Sequence, residues 1–337
     1  MKLRVGTRRS PLALTQTRQA LDELVRRVPG LSWELVEIVT TGDQIQDRPL
    51  RDAGGKGLFL KELDEALLAG RIDCAVHSMK DVPTDLAPGT TLAAVLERVD
   101  PRDVLVTAGA LGLDALANGV VVGTTSLRRQ AQLLAAVPGA KIRLLRGNVQ
   151  TRLRRLGEGH CDATFLAAAG LLRLGLTVQA RGVDAQTLCA EETPRVVPGM
   201  ELDPFVFVPA PGQGAVGITA RVDDAQVLAT VRALEHQDSR LAVTAERGFA
   251  RQFGGGCHLP LASYGQANDG KLLLVGLLVS PDGTRSIRDE GSVELGNGDF
   301  ADRVSQAEAF GAALGRSFFE RGAQKILELA MAAEPVS

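Results

Sequence analysis

The residue with the clearest catalytic potential in this sequence is an aspartate that follows a short apolar run. Asp81 comes after the run 72–76 and directly before Val82 and Pro83, which places it in a turn at the end of a predicted strand. Strand ends often present catalytic groups in α/β proteins, and a carboxylate there could stabilise a cation or transfer a proton. Taken alone, the residues favour a structural role instead, in which Asp81 pairs with Lys80 or caps the next turn.

A cysteine far along the chain is the candidate nucleophile. Cys257 follows three consecutive glycines, and glycine permits backbone conformations that could hold the thiol exposed at a loop tip. A thiolate there would be a strong nucleophile, but a buried structural cysteine fits the same spacing equally well. His77 is interpreted as a hydrogen-bonded structural residue, because no second histidine lies near it in the sequence.

Arginines at predicted turns and helix ends form a third signal. They are Arg8, Arg128, Arg129, Arg146, Arg152 and Arg173. Helix N-termini present unpaired N–H groups, and guanidinium groups bind carboxylates through paired hydrogen bonds. If these turns meet at one edge of a sheet, they would form a cleft for a molecule with many carboxylates or phosphates. Solvated helix faces are the alternative, and the residues alone do not decide between the two.

The elements that must position these residues alternate between strands and helices. Ser10 followed by Pro11 predicts a helix start with Ser10 as its N-cap, and Ser126 is placed to cap a later helix. Up to residue 100 the pattern predicts strands at 3–6, 33–40, 72–76 and 91–96, one helix after residue 11 and another at 58–68. This alternating order predicts a mostly parallel sheet.

A second unit begins near Asp103 and opens like the first. A strand ending in Gly6 and Thr7 precedes the Ser10 helix, and a strand ending in Gly123 and Thr124 precedes the Ser126 helix. This echo predicts two similar α/β lobes that face each other across a cleft.

The remaining segments are less regular. The stretch 177–203 lacks periodicity and predicts a surface insertion, whereas 205–208 and 215–219 are predicted strands. The last third contains two helices, three strand-like runs and a long C-terminal helix, which predicts a separate α+β domain.

The composition excludes several classes of function. A net charge of -2 and only 4% aromatic residues weigh against nucleic-acid binding. The longest apolar run, 163–172, is too short to cross a membrane, and we expect no signal peptide because residues 1–6 lead directly into a strand pattern. The four cysteines and four histidines are scattered, so we expect a cytoplasmic protein without a metal site. The glycines around Lys56 are too closely spaced for a P-loop and predict a mobile lid.

Seven segments together resemble the signatures of the porphobilinogen deaminases, the hydroxymethylbilane synthases of tetrapyrrole biosynthesis. They lie at 6–14, 55–59, 77–83, 126–130, 146–149, 211–215 and 255–257. They occur in the order of that family and span most of the chain, so their combination is specific although each alone is weak.

The resemblance implies a cofactor and a reaction. A dipyrromethane would be attached to Cys257 through a thioether, and Asp81 would be the catalytic carboxylate facing the pyrrole nitrogens. Porphobilinogen units would be joined head to tail with loss of ammonia, and the linear hydroxymethylbilane would then be released by hydrolysis. The implied cofactor-binding residues are Ser78, Lys80, Ser126, Arg128 and Arg129. The implied substrate-binding residues are Arg8, Ser10, Gln16, Arg146, Arg152 and Arg173.

The resemblance also implies three domains. Two lobes like those of periplasmic binding proteins would comprise residues 1–100 with 212–235 and residues 103–208, and residues 236–337 would form a smaller α+β domain that carries Cys257. We expect a monomer that acts on a small molecule and needs no metal, nucleotide, nucleic acid or membrane.

Two departures from the family pattern and two competing functions accompany this interpretation. Asp52 stands in the lid where some members carry a second lysine, and the stretch 177–203 is longer than usual. A non-enzymatic two-lobed anion-binding protein could share the arginine turns, but it would need neither Asp81 nor Cys257. A nucleic-acid-binding module is supported only by the basic helix predicted at 148–156.

Overall fold

The computed structural model describes residues 1–44, 60–107, 112–180, 188, 195–255 and 259–333. Within these residues the strands form three sheets. The first two sheets contain both parallel and antiparallel pairs, whereas the third is entirely antiparallel.

The first sheet has the strand order β2-β1-β3-β11-β4 within the described residues. Its strands are β1 (Lys2–Arg8), β2 (Ser32–Ile38), β3 (Cys74–Ser78), β4 (Thr90–Val95) and β11 (Val216–Arg221). The helices of this part are α1 (Pro11–Arg27), α2 (Thr41–Gln44), α3 (Lys61–Leu68) and α7 (Ala225–Val231). β1 is parallel to β2 and β3, and β11 returns from later in the chain to pair antiparallel with β3 and β4.

The sequence pattern of α1 explains its place on this sheet. Ser10 is the N-cap and accepts a hydrogen bond from the backbone N–H of Ala13, and Pro11 occupies the first turn, as predicted. Leu21 and Leu24 follow at helical spacing, are fully buried, and share one core with Leu3 of β1. The cap and the apolar stripe together dock α1 so that the turn between β1 and α1 is fixed at the sheet edge.

The second sheet has the order β7-β6-β8-β5-β10-β9 within the described residues. Its strands are β5 (Asp103–Thr107), β6 (Val121–Gly123), β7 (Lys141–Arg143), β8 (Ala163–Ala167), β9 (Thr177–Gln179) and β10 (Val196–Glu201). Its helices are α4 (Leu127–Ala136), α5 (Val149–Gly157) and α6 (Ala168–Arg173). The predicted cap is confirmed, because Ser126 Oγ accepts a hydrogen bond from the backbone N–H of Arg129 at the start of α4.

The prediction that 177–203 is only a surface insertion is wrong. This stretch contributes β9 and β10, and β10 pairs antiparallel with β5 in the sheet. Pro198 and Gly199 lie inside β10 and hid its strand pattern. Gly199 is required there because a Cβ atom would lie 2.5 Å from the carbonyl oxygen of Leu105. Residues 181–187 and 189–194 of this stretch lie outside the described residues.

The predicted strand at 205–208 is also wrong. The chain turns here, because the backbone N–H groups of Val206 and Phe207 both donate to the carbonyl oxygen of Asp203. Phe207 is buried and stacks on Phe165, with ring centroids 5.0 Å apart. Phe207 and Val208 are therefore buried and anchor a turn, whereas Val206 is exposed.

The third sheet, β12-β13-β14, packs against helices in the C-terminal part of the chain. Its elements are β12 (Leu261–Asn268), β13 (Lys271–Val279), β14 (Ser286–Glu294), α8 (Gln237–Arg251), α9 (Phe300–Glu320) and α10 (Ala323–Ala332). The predicted single C-terminal helix is instead α9 and α10, because the chain breaks at Gly322 with a φ of 89°. Phe249 of α8 and Phe318 of α9 are fully buried in this core.

The fold class predicted from the sequence is confirmed as two α/β sheets rich in parallel pairs, followed by a smaller α+β part. Among the described residues, the helices are too short or too polar to span a bilayer.

Candidate active site

A cavity of about 680 Å³ lies between the first and second sheets. Its walls come from the turn after β1, the end of β3, and the starts of α4 and α5. Ligand sites in α/β proteins usually lie at the carboxyl ends of parallel strands, where strand-to-helix turns converge. The two α/β units therefore face one another across a cleft, as the similar openings of the two units in the sequence predict.

The lining of this cavity is strongly cationic. Its basic side chains are Arg8, Arg9, Lys80, Arg129, Arg146 and Arg152. Burial lowers the pKa of Lys80 to about 8. Burial, assisted by repulsion from Arg129 and Arg146, lowers the pKa of Arg152 to about 10. Positive charges are thus held together in a poorly solvated place, and an anionic ligand would relieve their repulsion.

Asp81 is the single carboxylate in the part of this lining that the structure describes. It ends the short 3₁₀ turn Met79–Asp81 that follows β3 directly. Its side chain is 32% exposed, and its Oδ2 atom lies 3.4 Å from Nη1 of Arg8 on the neighbouring strand. A half-buried carboxylate in a cationic cavity can stabilise a positive charge that develops on a bound molecule.

The turn that carries Lys80 and Asp81 is held from below by a glycine-rich segment. The backbone N–H of Met79 donates to the carbonyl oxygen of Ala215, and the Met79 side chain is buried. A Cβ atom on Gly212 would lie 2.8 Å from Cβ of Met79, and Gly212 has a φ of 75°. Gly217 would likewise overlap the Met79 sulfur. These glycines therefore serve close packing beneath the turn rather than ligand binding.

Three polar residues around Asp81 are fixed by hydrogen bonds. Ser78 Oγ donates to Oε1 of Gln16, 2.9 Å away, which joins the end of β3 to α1. Ser10 caps α1 at the cavity wall. His77 is buried with its Nε2 atom 2.8 Å from Thr219 Oγ1, and burial lowers its pKa to about 4, which agrees with a structural role.

The paired arginines of α4 share a buried carboxylate that the sequence analysis did not single out. Asp103, at the start of β5, is fully buried and lies 2.7 Å from both Arg128 Nη1 and Arg129 Nη2. Gln213 Nε2 also donates to Asp103 Oδ1, 3.1 Å away. The two arginines hold the pKa of Asp103 well below its usual range despite burial. Two adjacent arginines that follow a turn require a negative charge nearby. That requirement is the signal from which a buried carboxylate such as Asp103 could have been predicted.

The predicted binding residues divide into two groups. Arg8, Ser10, Gln16, Ser78, Lys80, Arg129, Arg146 and Arg152 line the cavity together with Asp81. Arg128, Ser126 and Arg173 are not part of this lining. Arg128 donates to the carbonyl oxygen of Val208, and Arg173 donates to that of Gly214, 2.8 Å away in both cases.

Two predicted site residues, Cys257 and Lys56, lie outside the described residues, as does Asp52. Gly255 approaches the Asp81 loop, because a Cβ atom on it would overlap Thr84 Oγ1. A second cavity of about 460 Å³ lies beside this contact, between α3 and the segment 83–87. Burial raises the pKa of Asp64 in its wall to about 6.

In the described parts of the chain, no group of three or more His, Cys, Asp or Glu side chains could hold a metal ion. Cys74 and Cys161 are buried free thiols, and burial raises the pKa of Cys74 to about 12. Such thiols are poor nucleophiles at neutral pH.

Comparison with known families adds an independent observation. Residues 3–229 match the family model described as "Porphobilinogen deaminase, dipyromethane cofactor binding domain", and residues 240–320 match "Porphobilinogen deaminase, C-terminal domain". The chain belongs to the porphobilinogen deaminase family. It is therefore an enzyme with hydroxymethylbilane synthase activity, a transferase of porphyrin and heme biosynthesis that polymerises pyrrole units. Porphobilinogen is its substrate and dipyrromethane its cofactor.

Solved structures of other proteins are similar at low sequence identity. The YhfZ protein from Shigella flexneri is 16% identical, with 73% of this chain and 93% of that chain covered and a TM-score of 0.36. A BvgS VFT2 domain from Bordetella pertussis is 13% identical, with 69% of this chain and 86% of that chain covered and a TM-score of 0.41. The periplasmic aliphatic sulphonate binding protein SsuA from Escherichia coli is 14% identical, with 75% of this chain and 70% of that chain covered and a TM-score of 0.38. The family models remain the basis of the assignment.

The residues present in a porphobilinogen deaminase must accommodate a dipyrromethane, and the cavity of this chain fits one. Each pyrrole ring carries an acetate and a propionate, so the cofactor is a polyanion. The excess of guanidinium and ammonium groups over carboxylates in the lining supplies the matching charge. Lys80, Arg129 and Ser78 are the family-implied cofactor residues that line this cavity.

The depressed pKa of Lys80 predicts a pH-dependent stability. Between pH 8 and 10.5 the folded state binds fewer protons at Lys80 than the unfolded state, so stability rises with pH in that window. A Lys80→Met variant should therefore be more stable than its parent at pH 7, and the gap should narrow at pH 9.5. Urea unfolding of cofactor-free protein would measure this. A gap that stays constant with pH would contradict the prediction.

Proposed function

We propose that this enzyme joins four porphobilinogen molecules head to tail, releases ammonia at each addition, and hydrolyses off hydroxymethylbilane. The observation that carries this proposal is the position of Asp81 as the single described carboxylate in a cationic cavity between two α/β units. A growing chain of pyrroles adds carboxylates with each ring, and the cavity offers basic groups on both of its walls. Extension of this pyrrole chain proceeds through cationic pyrrole intermediates, and Asp81 is placed to stabilise them.

Asp81 is the proposed catalytic residue. Loss of ammonia from the aminomethyl group of porphobilinogen leaves positive charge on the pyrrole, and the carboxylate would hold the N–H of that ring. When bound, dipyrromethane supplies the pyrrole carbon to which the first substrate is joined. Arg8, 3.4 Å from Asp81, keeps the carboxylate oriented until a ring arrives.

We propose that some of these basic and polar residues bind the cofactor and others bind the substrate. Lys80, Ser78 and Arg129 would hold the cofactor, and Arg8, Ser10, Gln16, Arg146 and Arg152 would hold the substrate and the growing chain. For the residues outside the cavity lining we infer indirect roles. Arg128 acts through its shared partner Asp103, Ser126 through the cap of α4, and Arg173 through its bond to Gly214.

The remaining parts of the proposal concern attachment and organisation. Cys257 would hold the cofactor through a thioether, and Lys56 would act in a lid over the cleft. The domains would comprise 1–100 with 212–235, 103–208 and 236–337, which is supported by the return of β11 to the first sheet. We place the enzyme in the cytoplasm as a monomer.

Intact-mass spectrometry tests the proposal directly. The purified protein should exceed its sequence mass by one dipyrromethane, and Cys257→Ala should remove the excess. Cys161→Ala, which changes a buried cysteine of the second sheet region, should keep it. A bare polypeptide in an active preparation would refute covalent attachment.

A further inference from the structure

A half-buried arginine of the C-terminal α+β part is bonded to the loop that follows Asp81. Arg247 lies in α8, and its Nη1 atom donates to the carbonyl oxygen of Val82, 3.1 Å away. Its Nη2 atom donates to the carbonyl oxygens of Pro83 and Thr84, at 2.7 Å and 3.0 Å. One planar guanidinium therefore fixes three consecutive peptide units directly after the catalytic candidate.

Placing the Arg247 guanidinium at this contact costs free energy, which the rest of the fold must offset. Burial, with repulsion from Arg251 and Arg240, lowers the pKa of Arg247 to about 10. Its hydrogen bonds within the described residues all go to main-chain carbonyl groups. Burying a guanidinium that has no bonded carboxylate costs free energy. We infer that this contact is kept because it fixes the geometry of the loop.

The same loop also contacts the segment that leads to Cys257. Gly255 has a φ of 64°, and a Cβ atom on it would overlap Thr84 Oγ1. Thr84 is in turn held by Arg247 and by Arg251, whose Nη2 atom lies 2.9 Å from its carbonyl oxygen. Residues 82–84 therefore connect Asp81 to a residue that packs against Gly255.

We propose that Arg247 is a positioning residue for the polymerisation reaction. By holding residues 82–84 it fixes the Asp81 carboxylate relative to α8, and so couples the C-terminal part to the catalytic turn. This proposal rests on the function proposed above. It concerns orientation at the reacting centre, so it predicts an effect on kcat rather than on substrate affinity.

The test compares Arg247→Gln with a matched variant of the same helix. Arg240→Gln removes another largely buried guanidinium of α8, which bonds Glu235 and the Leu92 carbonyl oxygen, 2.9 Å away, rather than residues 82–84. Arg247→Gln should lower kcat by ~10–100-fold, the penalty expected for a misplacement of roughly 1 Å, with KM within ~3-fold. Arg240→Gln should keep kcat within ~2-fold of wild type, whatever its loss of stability. Arg247→Lys should recover part of the kcat, because it restores a positively charged donor group.

Two further readouts separate positioning from misfolding. Intact mass should show the cofactor on Arg247→Gln, and hydrogen exchange in the peptide 79–86 should be faster in that variant than in Arg240→Gln. Unchanged kcat in Arg247→Gln, or equal losses in both variants, would overturn the inference. Asp81→Asn is measured beside them: if it stays active the proposed function itself fails, whereas an inactive Asp81→Asn with a fully active Arg247→Gln refutes only the role of Arg247.

Discussion

Replacing Asp81 by alanine should lower kcat by about 10³-fold or more, because no other described carboxylate lines the cavity. A cationic pyrrole would then be surrounded by guanidinium groups alone. The variant cavity becomes more positive, so binding of the polyanionic cofactor and substrate should be retained. Steady-state kinetics with porphobilinogen, together with intact mass to verify cofactor loading, would measure both parts of the prediction.

The matched control for this variant is Asp64→Asn. Asp64 is a partly buried carboxylate in α3, and it lines the second cavity rather than the cationic one. Its replacement should keep kcat within ~2-fold, since transition-state stabilisation depends on a group at the reacting centre. A loaded Asp81→Ala enzyme with kcat within ~3-fold of wild type would refute the role assigned to Asp81.

Replacing Asp103 by asparagine should destabilise the protein by about 3–5 kcal/mol, the cost of breaking a buried ion pair by removing one partner. Asp103 is fully buried between Arg128 and Arg129, and asparagine keeps its shape but removes the charge that both guanidinium groups share. Urea unfolding at neutral pH would measure the loss. Because Arg129 lines the cavity, its displacement should also raise KM for porphobilinogen.

An exposed ion pair provides the comparison for Asp103. Asp85 is 75% exposed in its side chain and lies 3.1 Å from Arg251, so Asp85→Asn should change the free energy of unfolding by only about 0–1 kcal/mol. The contrast between the two substitutions isolates burial as the cause. If Asp103→Asn cost no more than Asp85→Asn, the shared carboxylate would not be holding the arginines in place.

Local signals in the sequence predicted the helices that carry the site. Ser10 with Pro11 and Ser126 were predicted as helix N-caps, and both accept the expected hydrogen bond from a backbone N–H three residues later. A cap is formed by residues adjacent in the chain, so its signal survives without knowledge of the fold. The ordered family motifs likewise identified the porphobilinogen deaminases, because they are read directly from the residues.

Signals that depend on distant residues were missed or wrongly interpreted. β10 escaped prediction because Pro198 and Gly199 interrupt its pattern, and only pairing with β5 and β9 makes it a strand. The apolar residues at 205–208 were taken for a strand, because their partner Phe165 lies far away in the sequence. Burial between elements, rather than local propensity, decided both cases.

The sequence by itself determined the family, the alternation of strands and helices, and the basic and acidic residues that could do chemistry. Only the tertiary structure decided which of these groups line one cavity, that Asp103 neutralises the arginines of α4, and that Arg247 holds the loop after Asp81. The physical reason is that caps and periodicity depend on neighbours along the chain. The charge balance and geometry of a cleft depend instead on elements that meet only when the sheets pack together.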